Sequence, residues 1–163
     1  MLTTPQIVDR EAQRYVAVRR TVSMNELGDI AAATSDLVIE FAREAGQTSS
    51  ETFIKYNVID MEGLMELEFG VPITGDVATS GEFFTGEIPA GRYATVTHTG
   101  PYDELYDANA MLVGWAKERE LSWDSEPAGA GERFASRLET YLNDPGEVPA
   151  DSLMTRLDFK VRD

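Results

Sequence analysis

The chain contains no cysteine and a single histidine, His98. Disulfides, thiolate metal sites and cysteine nucleophiles are excluded, and one histidine rules out multi-histidine zinc sites and the HExxH metalloprotease motif. Basic residues are scarce: 14 Lys+Arg stand against 29 Asp+Glu, a formal charge of −15. A surface of that sign repels nucleic-acid phosphates and anionic membranes, so neither direct nucleic-acid binding nor membrane association is expected. No apolar run reaches the roughly 20 residues that span a bilayer. The opening MLTTPQIVDREAQRYV has neither a basic n-region nor an apolar h-region, so a cytoplasmic location is expected. What remains is ordinary for one globular domain: 163 residues, 42% of them hydrophobic.

The most informative feature present is an internal repeat. Arg14–Leu27 can be laid over Arg92–Leu105 without a gap, with Arg, Tyr, Val, Thr, Glu and Leu coinciding. Phe53–Asn57 then parallels Leu138–Leu142, and Leu67-Glu-Phe69 parallels Leu157-Asp-Phe159. Two copies at so long a period indicate a duplicated module rather than a solenoid. The halves are placed at approximately 10–74 and 82–163, joined by the Gly/Ser/Thr-rich stretch Thr74–Gly81. The charge divides evenly, about −7 (6 − 13) before residue 82 and −8 (8 − 16) after it.

Each copy reads strand, helix, strand, strand. Tyr15–Val22 and Tyr93–Thr99 are β-rich. Ser23-Met-Asn-Glu26 has capping-box spacing, and Leu27, Ile30, Leu37, Val38 and Phe41 recur at helical spacing up to a stop at Gly46. Gly100-Pro101 opens the second helix, with Leu105, Ala108, Leu112 and Trp115 as its apolar stripe. The strands that follow are Phe53–Ile59 and Met65–Val71 in the first copy, Phe134–Leu142 and Leu153–Val161 in the second. Their alternation predicts one buried and one more polar sheet face. The fold class expected is α+β: duplicated modules with pseudo-twofold symmetry, an antiparallel sheet and two main helices.

Strand phase singles out one carboxylate. On Phe134–Leu142, Phe134, Leu138 and Leu142 share a face expected to lie against the helices, and Arg137, Glu139 and Tyr141 share the other. Ile54 and Tyr56 are the corresponding pair in the first copy. Side by side, these faces meet at the pseudo-twofold axis, where a cleft is expected. A carboxylate among aromatic rings there attracts cationic or polar-aromatic ligands; the alternative is a strand carboxylate paired with Arg137 or Arg156.

Gly86-Glu-Ile-Pro-Ala-Gly-Arg-Tyr-Ala94, His98-Thr-Gly-Pro-Tyr102, the helix ending in Trp115, Leu138-Glu-Thr-Tyr-Leu-Asn-Asp-Pro145 and the closing strand Met154–Val161 together resemble the GyrI-like small-molecule-binding domain, the effector-binding domain of AraC-type and multidrug-sensing transcription activators. The resemblance implies a pocket glutamate ringed by aromatics. Glu139 falls at that place, and Tyr141, Tyr56, Tyr102 and Trp115 are the aromatics carried over. Trp115 also reads as a core position on its helix stripe. In the activators a helix-turn-helix domain precedes this one; here the first repeat starts within the opening residues, so a stand-alone binder or sensor is expected.

Some relatives hydrolyse reactive cyclopropane-containing compounds with the pocket glutamate and a tyrosine. The resemblance therefore allows a hydrolase reading in which Glu139, Tyr56 and Tyr141 are catalytic. Gyrase-inhibiting relatives suggest a third reading, a protein partner. No cofactor or metal is implied. His98 is read as structural or surface, Asp144–Asp151 as a solvated hairpin connection, and Ala128-Gly-Ala-Gly131 as a flexible loop beside the pocket mouth.

Overall fold

Helix α1 (Met24–Glu44) begins where the capping pattern places it. The Glu26 carboxylate accepts the Ser23 backbone N–H at 3.0 Å, and an acid in the first turn also complements the helix dipole. Gly46 takes φ +83° just beyond the last turn, where Gln47 N–H reaches back to the Ala42 carbonyl at 3.0 Å. The second helix starts later than its glycine-proline signal suggests. Pro101 is extended and precedes a 3₁₀ turn, Tyr102–Glu104, and α2 spans Leu105–Glu118.

The computed structural model describes residues 1–163 as an α+β fold, with these helices on a curled antiparallel sheet of ten strands. The strands are β1 (Gln6–Arg10), β2 (Gln13–Val22), β3 (Thr52–Ile59), β4 (Met65–Pro72), β5 (Phe84–Ile88), β6 (Gly91–Thr99), β7 (Ser125–Ala128), β8 (Gly131–Phe134), β9 (Arg137–Tyr141) and β10 (Met154–Lys160). Their order is β1-β6-β10-β9-β3-β4-β2-β5, with the β7–β8 hairpin attached to β3. Exchanging β1 with β5, β2 with β6, β3 with β9 and β4 with β10 returns the same path read from its other end. The short leading strands are traded: β1 pairs with β6, and β5 with β2. Neither shows the alternation that marks a strand, which is why they are invisible in the sequence.

Two apolar clusters lie on the helix side. Val16, Val18, Leu67 and Phe69 pack with Val38 and Ala42 of α1, and Ala94, Val96, Leu157 and Phe159 with Ala108 and Leu112 of α2. A third cluster covers the opposite face: Tyr15, Ala17, Phe53, Ile88, Tyr93 and Leu138. Leu138 therefore points away from the helices, correcting the expectation for its strand. Alternation shows which residues share a face, and the partner of that face comes from the curl of the sheet. The expected strand Phe134–Leu142 is also broken in two at Ala135-Ser136. Ala128-Gly-Ala-Gly131 is the tight turn of the β7–β8 hairpin, with Gly129 at φ +60°, rather than a free loop.

The opposite face buries acids at equivalent positions of the two halves. Glu68 accepts the Tyr15 hydroxyl at 2.5 Å and the Asn57 amide, with the Lys55 ammonium at 3.6 Å. Asp158 accepts Arg10 at 2.6 Å and Arg156 at 2.7 Å. Arg156 is thus committed on the wrong side of the sheet to pair with Glu139. Aromatic rings close this face over glycines: a Cβ at Gly70 would sit 2.4 Å from Phe53 Cζ, and one at Gly86 2.6 Å from the Tyr15 hydroxyl. Gly70→Ala should destabilise the fold by about 1–3 kcal/mol through this overpacking. A urea midpoint equal to wild type would show that Phe53 moves aside freely.

Candidate functional site

Helix α1 packs mainly over β2 and β4, and α2 over β6. The central pair β3–β9 lies between them without a helix of its own. Its helix-side surface is the floor of a cleft of about 880 Å³ walled by both helices. Ile54 and Tyr56 of β3 and Arg137, Glu139 and Tyr141 of β9 form that floor. Leu27, Ala31 and Ile39 of α1 and Leu105, Asn109 and Val113 of α2 form the walls. Tyr102, Asp103, Asn143 and Asp144 stand at the rim. Met24, Met61 and Tyr106, all strongly exposed, also line it.

Glu139 is 7% exposed. Its Oε1 accepts the Tyr141 hydroxyl at 2.5 Å, and its Oε2 lies 3.5 Å from the Asn109 amide nitrogen. Register places Ile54 directly across from Glu139, and Thr52 across from Tyr141. The Tyr102 ring meets the Tyr141 ring edge-on at 5.4 Å between centroids. Burial raises the Glu139 carboxyl above its ordinary value, outweighing the Tyr141, Asn109, Arg137 and Tyr56 groups that favour the anion. Burial, then the Glu139 charge, lifts Tyr56 and Tyr141 well above the phenol value. Burial, then Asp144 and Glu139, raises Tyr102. The three rings are therefore neutral hydrogen-bond donors at physiological pH.

Four of the five ligand-contact residues expected from the sequence thus come together: Glu139, Tyr141, Tyr56 and Tyr102. Trp115 does not line the cleft. It is half-buried beside the α2 cluster, with the Arg119 guanidinium 4.3 Å above its ring. The physical reason is helical phase, since Trp115 lies two residues, about 200°, from the cleft-lining Val113. Asn109 and Asp144 were not singled out by the sequence. Asn109 sits one turn after Leu105, whose carbonyl accepts its amide at 2.8 Å; only the packing of α2 beside β9 brings it to Glu139. His98 is buried, and its Nε2 meets Glu104 Oε2 at 2.8 Å, tying β6 to the turn that carries Tyr102.

This fold has counterparts among known proteins. Residues 3–162 match the family model of the GyrI-like small molecule binding domain, and the chain belongs to that family. Its fold is that of the EcmrR C-terminal domain, at 18% identity and a TM-score of 0.70, covering 98% of this chain and 97% of that one. Within the EcmrR–DNA complex the match is 20% identical with a TM-score of 0.72, covering 98% of this chain and 57% of that longer one. SAV2435, solved bound to tetraphenylphosphonium, matches at 9% identity and a TM-score of 0.61, over 98% of this chain and 94% of that one. A structure described as a hydrolase from Listeria innocua matches at 12% identity and a TM-score of 0.57, over 97% and 91%. No curated protein sequence matches the chain. No helix is long and apolar enough to cross a membrane.

The raised Glu139 carboxyl has a consequence for stability. Below the ordinary value near 4.5 the group is protonated in both folded and unfolded chains, and no penalty applies. As pH rises through that value and then through the higher folded value, ionisation is resisted only in the folded chain, and stability falls. Glu139→Gln should therefore gain stability relative to wild type on going from about pH 4 to about pH 8, read by urea unfolding at each pH. A difference between the two proteins that is independent of pH would contradict the burial of the carboxyl.

Proposed function

We propose that the chain is a ligand-binding or sensing domain for amphipathic organic molecules that carry an aromatic body and a cationic group. The observation that carries this reading is the buried Glu139, set between Tyr56 and Tyr141 on the floor of a cleft of about 880 Å³ with Tyr102 at its rim. A cation there gains a charge partner in a poorly solvated site and aromatic faces beside it. The ligand's apolar body lies against Ile54, Leu27, Ala31 and Val113. Asp103 and Asp144 at the rim, with the overall charge of −15, draw cations toward the mouth. The tetraphenylphosphonium held by SAV2435, a protein of the same fold, supports this ligand class.

Calorimetric titration with tetraphenylphosphonium and its neutral counterpart triphenylphosphine oxide tests the electrostatic part. Glu139→Gln should weaken the cation about tenfold and leave the neutral compound nearly unchanged. Equal losses would remove Glu139 as the charge partner.

One observation favours a second, hydrolytic reading. A carboxyl shifted upward by burial, held by the Tyr141 hydroxyl and facing a ligand-sized cleft, has the chemistry of a proton-transfer group. In that reaction Glu139 takes a proton from water as its oxygen bonds to a strained ring carbon. The ring C–C bond breaks, its electron pair passes to the departing carbon, and Glu139 returns the proton there. Tyr56 and Tyr141, both neutral, orient the water. Turnover of an electrophilic cyclopropane substrate, followed by product formation, should vanish in Glu139→Ala; turnover persisting in that variant would reject the mechanism.

A further inference from the structure

Arg137 is a second charged group on the cleft floor. On the opposite sheet face Arg10 and Arg156 both close on the Asp158 carboxylate. Arg137 has no carboxylate within ion-pair distance, its alternative pairing with Glu139 included. Its side chain makes one hydrogen bond, from Nη2 to Asn109 Oδ1 at 3.3 Å. Two rings hold the guanidinium in place, Phe159 with its centroid at 4.2 Å and Phe134 at 5.0 Å. A guanidinium carries five N–H donors in a planar fork, so most remain available to whatever occupies the cleft.

Asn109 sets the geometry between the two charges. Its carbonyl oxygen accepts from Arg137 while its amide nitrogen faces Glu139 Oε2 at 3.5 Å. Residues two apart on one strand face lie about 7 Å apart along the backbone. The floor thus presents a cation and an anion side by side, each oriented by protein contacts and neither neutralised by direct contact with the other. A ligand with a lone positive charge satisfies only half of this arrangement and leaves a half-buried guanidinium without an anionic partner.

We propose that Arg137 is an anion-recognising anchor of the cleft, and that the preferred ligands are aromatic zwitterions whose cationic group meets Glu139 and whose carboxylate meets the Arg137 fork. This rests on the small-molecule-binding reading above and narrows its ligand class.

Rhodamine B and its methyl ester share one aromatic cation and differ in a free carboxylate, so they isolate the claim. Fluorescence polarisation should show wild type binding rhodamine B about tenfold more tightly than the ester, despite the negative protein surface. Arg137→Gln should abolish that preference, and Arg137→Lys should retain part of it, while Glu139→Gln should weaken both dyes. An ester bound as tightly as the acid, or a preference that survives Arg137→Gln, would overturn the anchor and leave cation binding standing. A merely structural Arg137 would shift both dyes equally, which also overturns it. Should Arg137→Gln fail to fold, the wild-type comparison decides. Binding of neither dye would reject the zwitterion class, and loss of tetraphenylphosphonium binding as well would reject the broader reading.

Discussion

The pairing of β3 with β9 is the constraint on which the rest of the structure depends. It joins the halves into one sheet through residues 52–55 and 138–141. Each helix follows the long strand β2 or β6 of its own half and settles over the outer strands, and the joining pair is left uncovered. Central strands are normally the most deeply covered part of a sheet. Here they can carry Glu139, Arg137 and the polar-tipped Tyr56 and Tyr141 in the cleft floor, because the space above them belongs to no helix.

An open floor needs rigidity from elsewhere, and the opposite face supplies it. Tyr15, Phe53, Tyr93 and Leu138 pack there, with Glu68 and Asp158 buried beneath their own hydrogen-bonding partners at 3% and 0% exposure. Breaking such a pair strands a buried charge, so the network fixes strand register more than it adds net stability. Register matters directly to the site, since a slip of one residue would turn Glu139 to the far face. The exchange of β1 and β5 between halves adds a second tie.

Much of this was legible in the chain, for definable reasons. Strand phase put Arg137, Glu139 and Tyr141 on one face, and backbone geometry alone enforces that. The capping box at Ser23–Glu26 located the start of α1 to the residue. What escaped depended on tertiary context. The direction in which Leu138 faces follows from an apolar cluster assembled by six residues on five strands. Asn109 is an ordinary polar residue on a helix until α2 packs beside β9. Trp115 was drawn into the site by its residue type and family place, while its position on α2 turns it aside. The leading strands were lost because they lack alternation and pair only with strands more than 60 residues away.

The position of Glu139 also explains its solitude. Aligning the halves equates it with Ile54, and the register sets those two residues face to face across the joining pair. Carboxylates on both strands would lie about 5 Å apart at Cβ. At that distance in a poorly solvated floor, they would share one proton rather than hold two charges. One apolar residue opposite one acid avoids this. Ile54 keeps the floor apolar on the α1 side, while Glu139, Asn109 and Arg137 collect the polarity on the α2 side. A cleft walled by two similar halves is thereby apolar at one end and polar at the other.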